Sequence, residues 1–178
     1  MRADAARNLE ALLTTGARML AQDPSASISA IAAEAGVDRR TVYRRFASRE
    51  ELLAAIYDSR LTAVEKVVSA ARFTETAIPV ALHRYVEGII EVNRRWPVEL
   101  TRMRAEPSIQ DRRSRLSAEV ETFLQRATDE GFLRADIPGG WAGRLLIQLL
   151  HLASQEDMDA PRAADLLVET FLNGVGAR

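Results

Sequence analysis

The 178-residue chain is expected to be all-α, and three observations carry that expectation. Apolar residues recur at three- and four-residue spacing along most of its length, the period that lines one face of a helix. Cap residues, glycines and prolines fall at the ends of those runs, where helices start and stop. No alternation of apolar and polar residues is long enough for a convincing strand.

Each element follows from local signals. Leu9, Leu12, Leu13, Ala17 and Leu20 form a stripe that predicts a first helix over about residues 4–22, ended by Asp23-Pro24. Ser27 stands at a cap position, and Ile28, Ile31, Ala32 and Ala35 bury one face of a second helix. Gly36 follows at once, where a helix end needs a residue that turns left-handed without a clash. Val37 offers an apolar plug, and Asp38 caps a third helix whose Val42 and Phe46, four apart, face inward. Ser48 with Glu51 makes a capping box for a fourth helix. That helix carries Leu52, Leu53, Ile56, Leu61, Val64, Val67 and Val68 to about residue 71. It is long enough to leave the first unit and enter a second.

The remainder predicts helices over residues 78–95, 98–105, 107–130, 141–154 and 162–173. Pro79 falls in a first turn, where a missing N–H costs little. Trp96-Pro97, Gly131 and the 132–140 connection are the breaks. The expected division is residues 1–48 as one domain and residues 49–178 as a second, helical one.

Composition narrows the function classes. The chain has no cysteine, which excludes a disulfide framework and cysteine-ligated metal. No apolar run reaches the roughly 20 residues of a membrane span, so a soluble, cytoplasmic protein is expected. His83 and His151 are the only histidines and are too separated to suggest a paired metal site. A Gly-rich phosphate loop, a nucleophile elbow and an HExxH run are all missing, so neither an enzyme nor a cofactor is expected.

Charge is the more pointed signal. Five arginines and no acid lie between Arg39 and Arg49, although the formal net charge of the whole chain is −1. With Val42 and Phe46 facing inward, Arg39, Arg40, Arg44 and Arg45 point largely outward. Two short helices joined by a tight turn, the second densely cationic, form a helix-turn-helix suited to a major groove. An exposed, solvated helix face is the competing reading of the same arginines.

Ile31-Ala32, Ala35-Gly36-Val37, Thr41-Val42-Tyr43, Phe46 and Ser48-Arg49-Glu50 followed by Leu52-Leu53 together resemble the N-terminal region of the TetR family of bacterial transcriptional regulators. The resemblance implies a three-helix DNA-binding domain followed by a helical ligand-binding and dimerisation domain. It implies that Ser27 caps its helix and contacts phosphate, and that the hydroxyls of Thr41 and Tyr43 touch the DNA backbone. Arg49 stands where the family most often has lysine, and Arg45 where it commonly has histidine; both would serve phosphate. Arg39 and Arg40, with Arg44 as a further candidate, sit where base edges are read, and guanine offers the O6 and N7 acceptors that an arginine fork fits.

The resemblance also implies a small-molecule pocket in the second domain. Phe73, Tyr85, Trp96, Met103, Phe123, Phe132, Trp141 and Gln148 are candidates to line it, with ordinary core packing as the alternative for each. Trp141, Leu145, Leu149 and Leu152 make one apolar stripe, and Leu166, Leu167, Thr170 and Phe171 another. These predict a homodimer interface, as in the family, and hence a palindromic operator. The expected function is a ligand-responsive repressor released from double-stranded DNA by an unknown effector. A non-specific architectural DNA-binding protein and a helical protein-interaction module remain alternatives.

Overall fold

In the computed structural model, residues 2–97 and 107–176 are described. Eight helices occur among them: α1 (Arg2–Gln22), α2 (Ile28–Glu34), α3 (Arg39–Arg45), α4 (Arg49–Ala71), α5 (Ile78–Arg95), α6 (Pro107–Asp129), α7 (Trp141–Gln155) and α8 (Ala160–Val175). The helix expected over residues 98–105 lies outside the described residues. No strand occurs among the described residues; Leu133 and Gly176 form an isolated antiparallel bridge, beside which the Arg134 N–H donates to the Val175 carbonyl at 2.8 Å.

The local signals act where the sequence puts them. Ser27 Oγ accepts from the Ala30 N–H at 3.1 Å, and Asp38 Oδ1 from the Thr41 N–H at 3.0 Å. Between them Gly36 takes φ of +65°, and the Val37 N–H returns to the Ala32 carbonyl at 2.9 Å, closing α2. At the head of α4 the Glu51 N–H donates to Ser48 Oγ at 3.2 Å, while Glu51 Oε2 accepts from the Ala47 N–H at 2.8 Å. The last helix starts two residues earlier than expected. Asp159 caps it by accepting from the Arg162 N–H at 2.8 Å, with Pro161 in the first turn, where its lost donor is harmless.

The chain divides into two compact units, and the boundary between them falls inside α4 after Thr62. The first unit also takes the segment beginning at Arg95. The reason is burial: Leu52 and Ile56 of α4 join the core of Leu12, Leu13, Ala17, Ile31, Val42 and Phe46. In α1, a Cβ at Gly16 would stand 2.8 Å from Ile56 Cδ1, so the missing side chain lets α4 approach α1 closely. Arg18 and Glu34 pair at 2.9 Å between α1 and α2. Arg60 Nε donates to the Trp96 carbonyl at 3.1 Å, and Arg95 pairs with Glu10.

The second unit is built from the rest of α4, then α5, α6, α7 and α8, around Val68, Ile78, Leu82, Val86, Ile90, Leu146, Leu150, Leu167 and Phe171. Arg94 reaches the carbonyls of Ala153 and Glu156 at 3.2 and 3.1 Å, satisfying groups that the end of α7 leaves open. Between α4 and α6, Arg112 holds Glu65 with two bonds of 2.7 and 2.8 Å. The Arg112 hydrogen bonds hold the Glu65 carboxyl below its ordinary value of 4.5, so this contribution is complete above that pH and is lost as pH falls through the lowered value. Glu65→Gln is expected to cost about 1 kcal/mol at pH 7, between an exposed pair and a buried charged hydrogen bond. Urea unfolding at successive pH values should show the difference from the parent closing below pH 4.5.

Candidate nucleic-acid interface

On α3, Val42 and the following Phe46 are buried, which fixes the helix's rotation. A 3.6-residue period then turns Tyr43, Arg44 and Arg45 outward. Arg39, Arg40, Thr41, Tyr43, Arg44 and Arg45 are all exposed. The Arg39 guanidinium carbon lies 5.4 Å from the centre of the Tyr43 ring, and that of Arg45 lies 5.9 Å from the Phe46 ring, both within cation–π range. The Tyr43 hydroxyl meets the Ser29 hydroxyl of α2 at 3.2 Å. The Ser29 hydrogen bond first, then Arg39, holds the Tyr43 phenol below its ordinary value. The Thr41 hydroxyl lies 3.5 Å from the capping carboxylate of Asp38.

Ser27 is exposed and spends its oxygen on the cap of α2. Arg49 is placed differently from the other arginines. It is half-buried and turns back onto the connection between α1 and α2, its Nε donating to the Ala26 carbonyl at 3.3 Å and its Nη2 to the Pro24 carbonyl. A guanidinium bound to two chain carbonyls acts as a clamp. Arg49→Gln is therefore expected to cost about 1–2 kcal/mol of stability, the worth of charge-assisted bonds near a surface. The slope of log affinity against log salt should stay unchanged, whereas loss of a phosphate contact would lower its magnitude by about 0.9.

The other expected sites divide. Phe73, Tyr85 and Phe123 come together in the core of the second unit, Phe73 stacking on Phe123 with centroids 4.3 Å apart and tilting against Tyr85 at 5.5 Å. Phe132, Trp141 and Gln148 are exposed and do not join that cluster. Trp96 is buried and falls in the first unit, and Met103 lies outside the described residues.

Of the residues expected at a dimer interface, Trp141, Leu152, Leu166 and Thr170 are exposed, and Leu145 and Leu149 half-buried. Leu167 and Phe171 are corrected: both lie in the core. One residue step turns a helix by 100°, so Leu166 and Leu167 face different ways. Ile147, 62% exposed, belongs among the surface residues and was not anticipated. Ser29, half-buried on α2, faces Tyr43 across the turn, a contact that 14 residues of separation hide in the sequence. His83 bonds Asp165 at 2.9 Å, and His151 lies 2.9 Å from the Gln155 amide.

A capped α2, a glycine turn and an α3 anchored by two apolar residues beneath an arginine face define a helix-turn-helix DNA-binding protein. Residues 12–56 match the family model described as bacterial regulatory proteins, tetR family. Over those residues the chain carries the DNA-binding region of that family, and a protein it is similar to along most of its length is a transcriptional regulator. The chain is 28% identical over 181 residues to the HTH-type transcriptional repressor LfrR of Mycolicibacterium smegmatis, covering 95% of this chain and 90% of that protein. Among solved structures, the TetR-like regulator LfrR from Mycobacterium smegmatis in complex with proflavine is similar in fold at a TM-score of 0.74, with 24% identity over 97% of this chain and 98% of that one. The ketosteroid transcriptional regulator KstR2 of Mycobacterium tuberculosis is similar at a TM-score of 0.77, with 18% identity over 94% of each chain. No described helix is long and apolar enough to cross a membrane.

Proposed function

We propose that this protein is a cytoplasmic repressor that binds a palindromic operator as a homodimer and is released by a small-molecule effector. The observation that carries the reading is the exposed arginine face of α3 on a helix whose rotation Val42 and Phe46 fix. In this reading Arg39 and Arg40 meet base edges; Arg44, the further candidate for base edges, is assigned with Ser27, Thr41, Tyr43 and Arg45 to the backbone. Trp141, Leu145, Leu149, Leu152, Leu166 and Thr170 supply the interface between copies, which would cover apolar surface that a lone chain leaves in water. Repression and an effector are supported by the relative LfrR, a repressor with a structure in complex with proflavine. The effector must favour one dimer conformation over the other, because equal affinity for both shifts nothing.

The test is selection of bound sequences from random duplex DNA at about 0.15 M salt. Enrichment of an inverted repeat with half-sites about 34–36 Å apart, or a related spacing, is expected. Retention without an enriched motif would favour an architectural DNA binder instead. Absence of retention, in protein purified free of small molecules, would turn the arginine face toward an acidic protein partner.

A further inference from the structure

Four arginines crowd the exposed side of α3, and their surroundings are not alike. Arg39 opens the helix, the end that reaches base edges in helix-turn-helix proteins. One turn later, Tyr43 leans back toward the helix N-terminus, as helical side chains do, which puts its ring beside the Arg39 guanidinium at 5.4 Å. The far end of that ring is in turn met by Ser29, a residue of α2, at 3.2 Å. Side chains from two helices thus make one chain of contacts: Ser29 to the Tyr43 hydroxyl, and the Tyr43 ring to Arg39.

An unrestrained arginine samples many rotamers, and an arginine fork reads guanine only in one plane. A ring lying 5.4 Å from the guanidinium narrows that choice, and a hydroxyl anchored on a second helix narrows the ring's. We propose that Ser29 is a positioning residue for base recognition, acting through Tyr43 to hold Arg39 in its reading orientation. This makes Ser29 a determinant of sequence preference without itself touching a base. The inference rests on the sequence-specific reading proposed above. Ser29 is half-buried and lies in the first turn of α2, where alanine is well tolerated, so Ser29→Ala leaves the fold intact.

The experiment measures affinity for the selected operator, for single-base variants of it and for random duplex. It compares the parent with Ser29→Ala, Ser29→Thr, Arg39→Ala and the Ser29→Ala/Arg39→Ala double variant. Arg39→Ala is expected to flatten preference at one base of each half-site by roughly 5- to 150-fold, the worth of one bidentate contact. Ser29→Ala should reduce preference at that same base by about two- to fivefold, the worth of an exposed cation–π stack. It should leave random-duplex affinity and the salt slope as in the parent. In the Arg39→Ala background the serine change should have no further effect, and Ser29→Thr, which keeps the hydroxyl, should behave as the parent.

Equal loss on operator and random DNA, with a shallower salt slope, would overturn the proposal and make Ser29 a phosphate contact. A loss that persists in the Arg39→Ala background would overturn it as well. If the parent itself selects no motif, the sequence-specific reading falls and takes this proposal with it. If the parent selects a motif and Ser29→Ala leaves every base preference unchanged, the proposal alone falls.

Discussion

Arg44→Gln combined with Arg45→Gln is expected to weaken operator binding about a thousandfold at 0.15 M salt while leaving the fold unchanged. Each phosphate contact releases counterions and contributes about 0.9 to the salt slope, so two arginines in each of two subunits account for about 3.6. At 0.15 M salt that slope corresponds to roughly three decades of affinity. Both side chains are exposed and their helix is held by Val42 and Phe46, so their removal opens no cavity. Titrations of fluorescent operator at several salt concentrations check it. An affinity loss with an unchanged slope would mean that these arginines touch no phosphate and that the cationic face grips something else.

Phe171→Ala is expected to cost about 3–5 kcal/mol, the range for truncating a buried phenylalanine. Phe171 is 0% exposed in the middle of the second unit's core. The cavity left by a ring cannot be filled without moving the helices around it. Leu166→Ala, five residues earlier on α8, makes the contrast: this leucine is 55% exposed, and its loss should barely change the stability of a lone chain. It should instead weaken self-association. Urea unfolding and sedimentation at several protein concentrations separate the two outcomes. A cost under about 1 kcal/mol for Phe171→Ala would mean that the core collapses around the gap.

The leucine and phenylalanine of α8 also show where sequence reasoning reaches its limit. Leu166, Leu167, Thr170 and Phe171 read together as one apolar side, since each is three to five residues from another. Which positions the core claims depends on α5, α6 and α7, which contribute Leu82, Phe123 and Leu146 to the same cluster and lie far off in the sequence. By contrast, Ser27, Gly36, Asp38, Ser48 and Gly131 were legible because a cap or a left-handed turn is decided within four residues. Asp159 was equally legible and was passed over; an acid two residues before a proline is an N-terminus signal.

The arginines of α3 and of the start of α4 differ in the same way. That Arg40, Arg44 and Arg45 face outward follows from Val42 and Phe46; Arg39, seven residues before Phe46 and so on its side of the helix, is exposed as the first residue of α3. The inward turn of Arg49 does not, because its carbonyl partners are 23 and 25 residues away. The division of α4 between the units is hidden for the same reason: the helix is one continuous periodic run, and only packing shows that Leu52 serves the first unit and Val68 the second.

The exposed side of α3 carries arginine and no lysine; the chain's sole lysine, Lys66, is on α4. A guanidinium keeps its proton at every pH a cell reaches, and the acyl groups that neutralise lysine amines do not act on it. Neither acidification nor lysine acetylation can therefore dim the charge of this surface. A cell that needs this protein off its DNA gains nothing from either, whereas moving the place where α3 is held would serve.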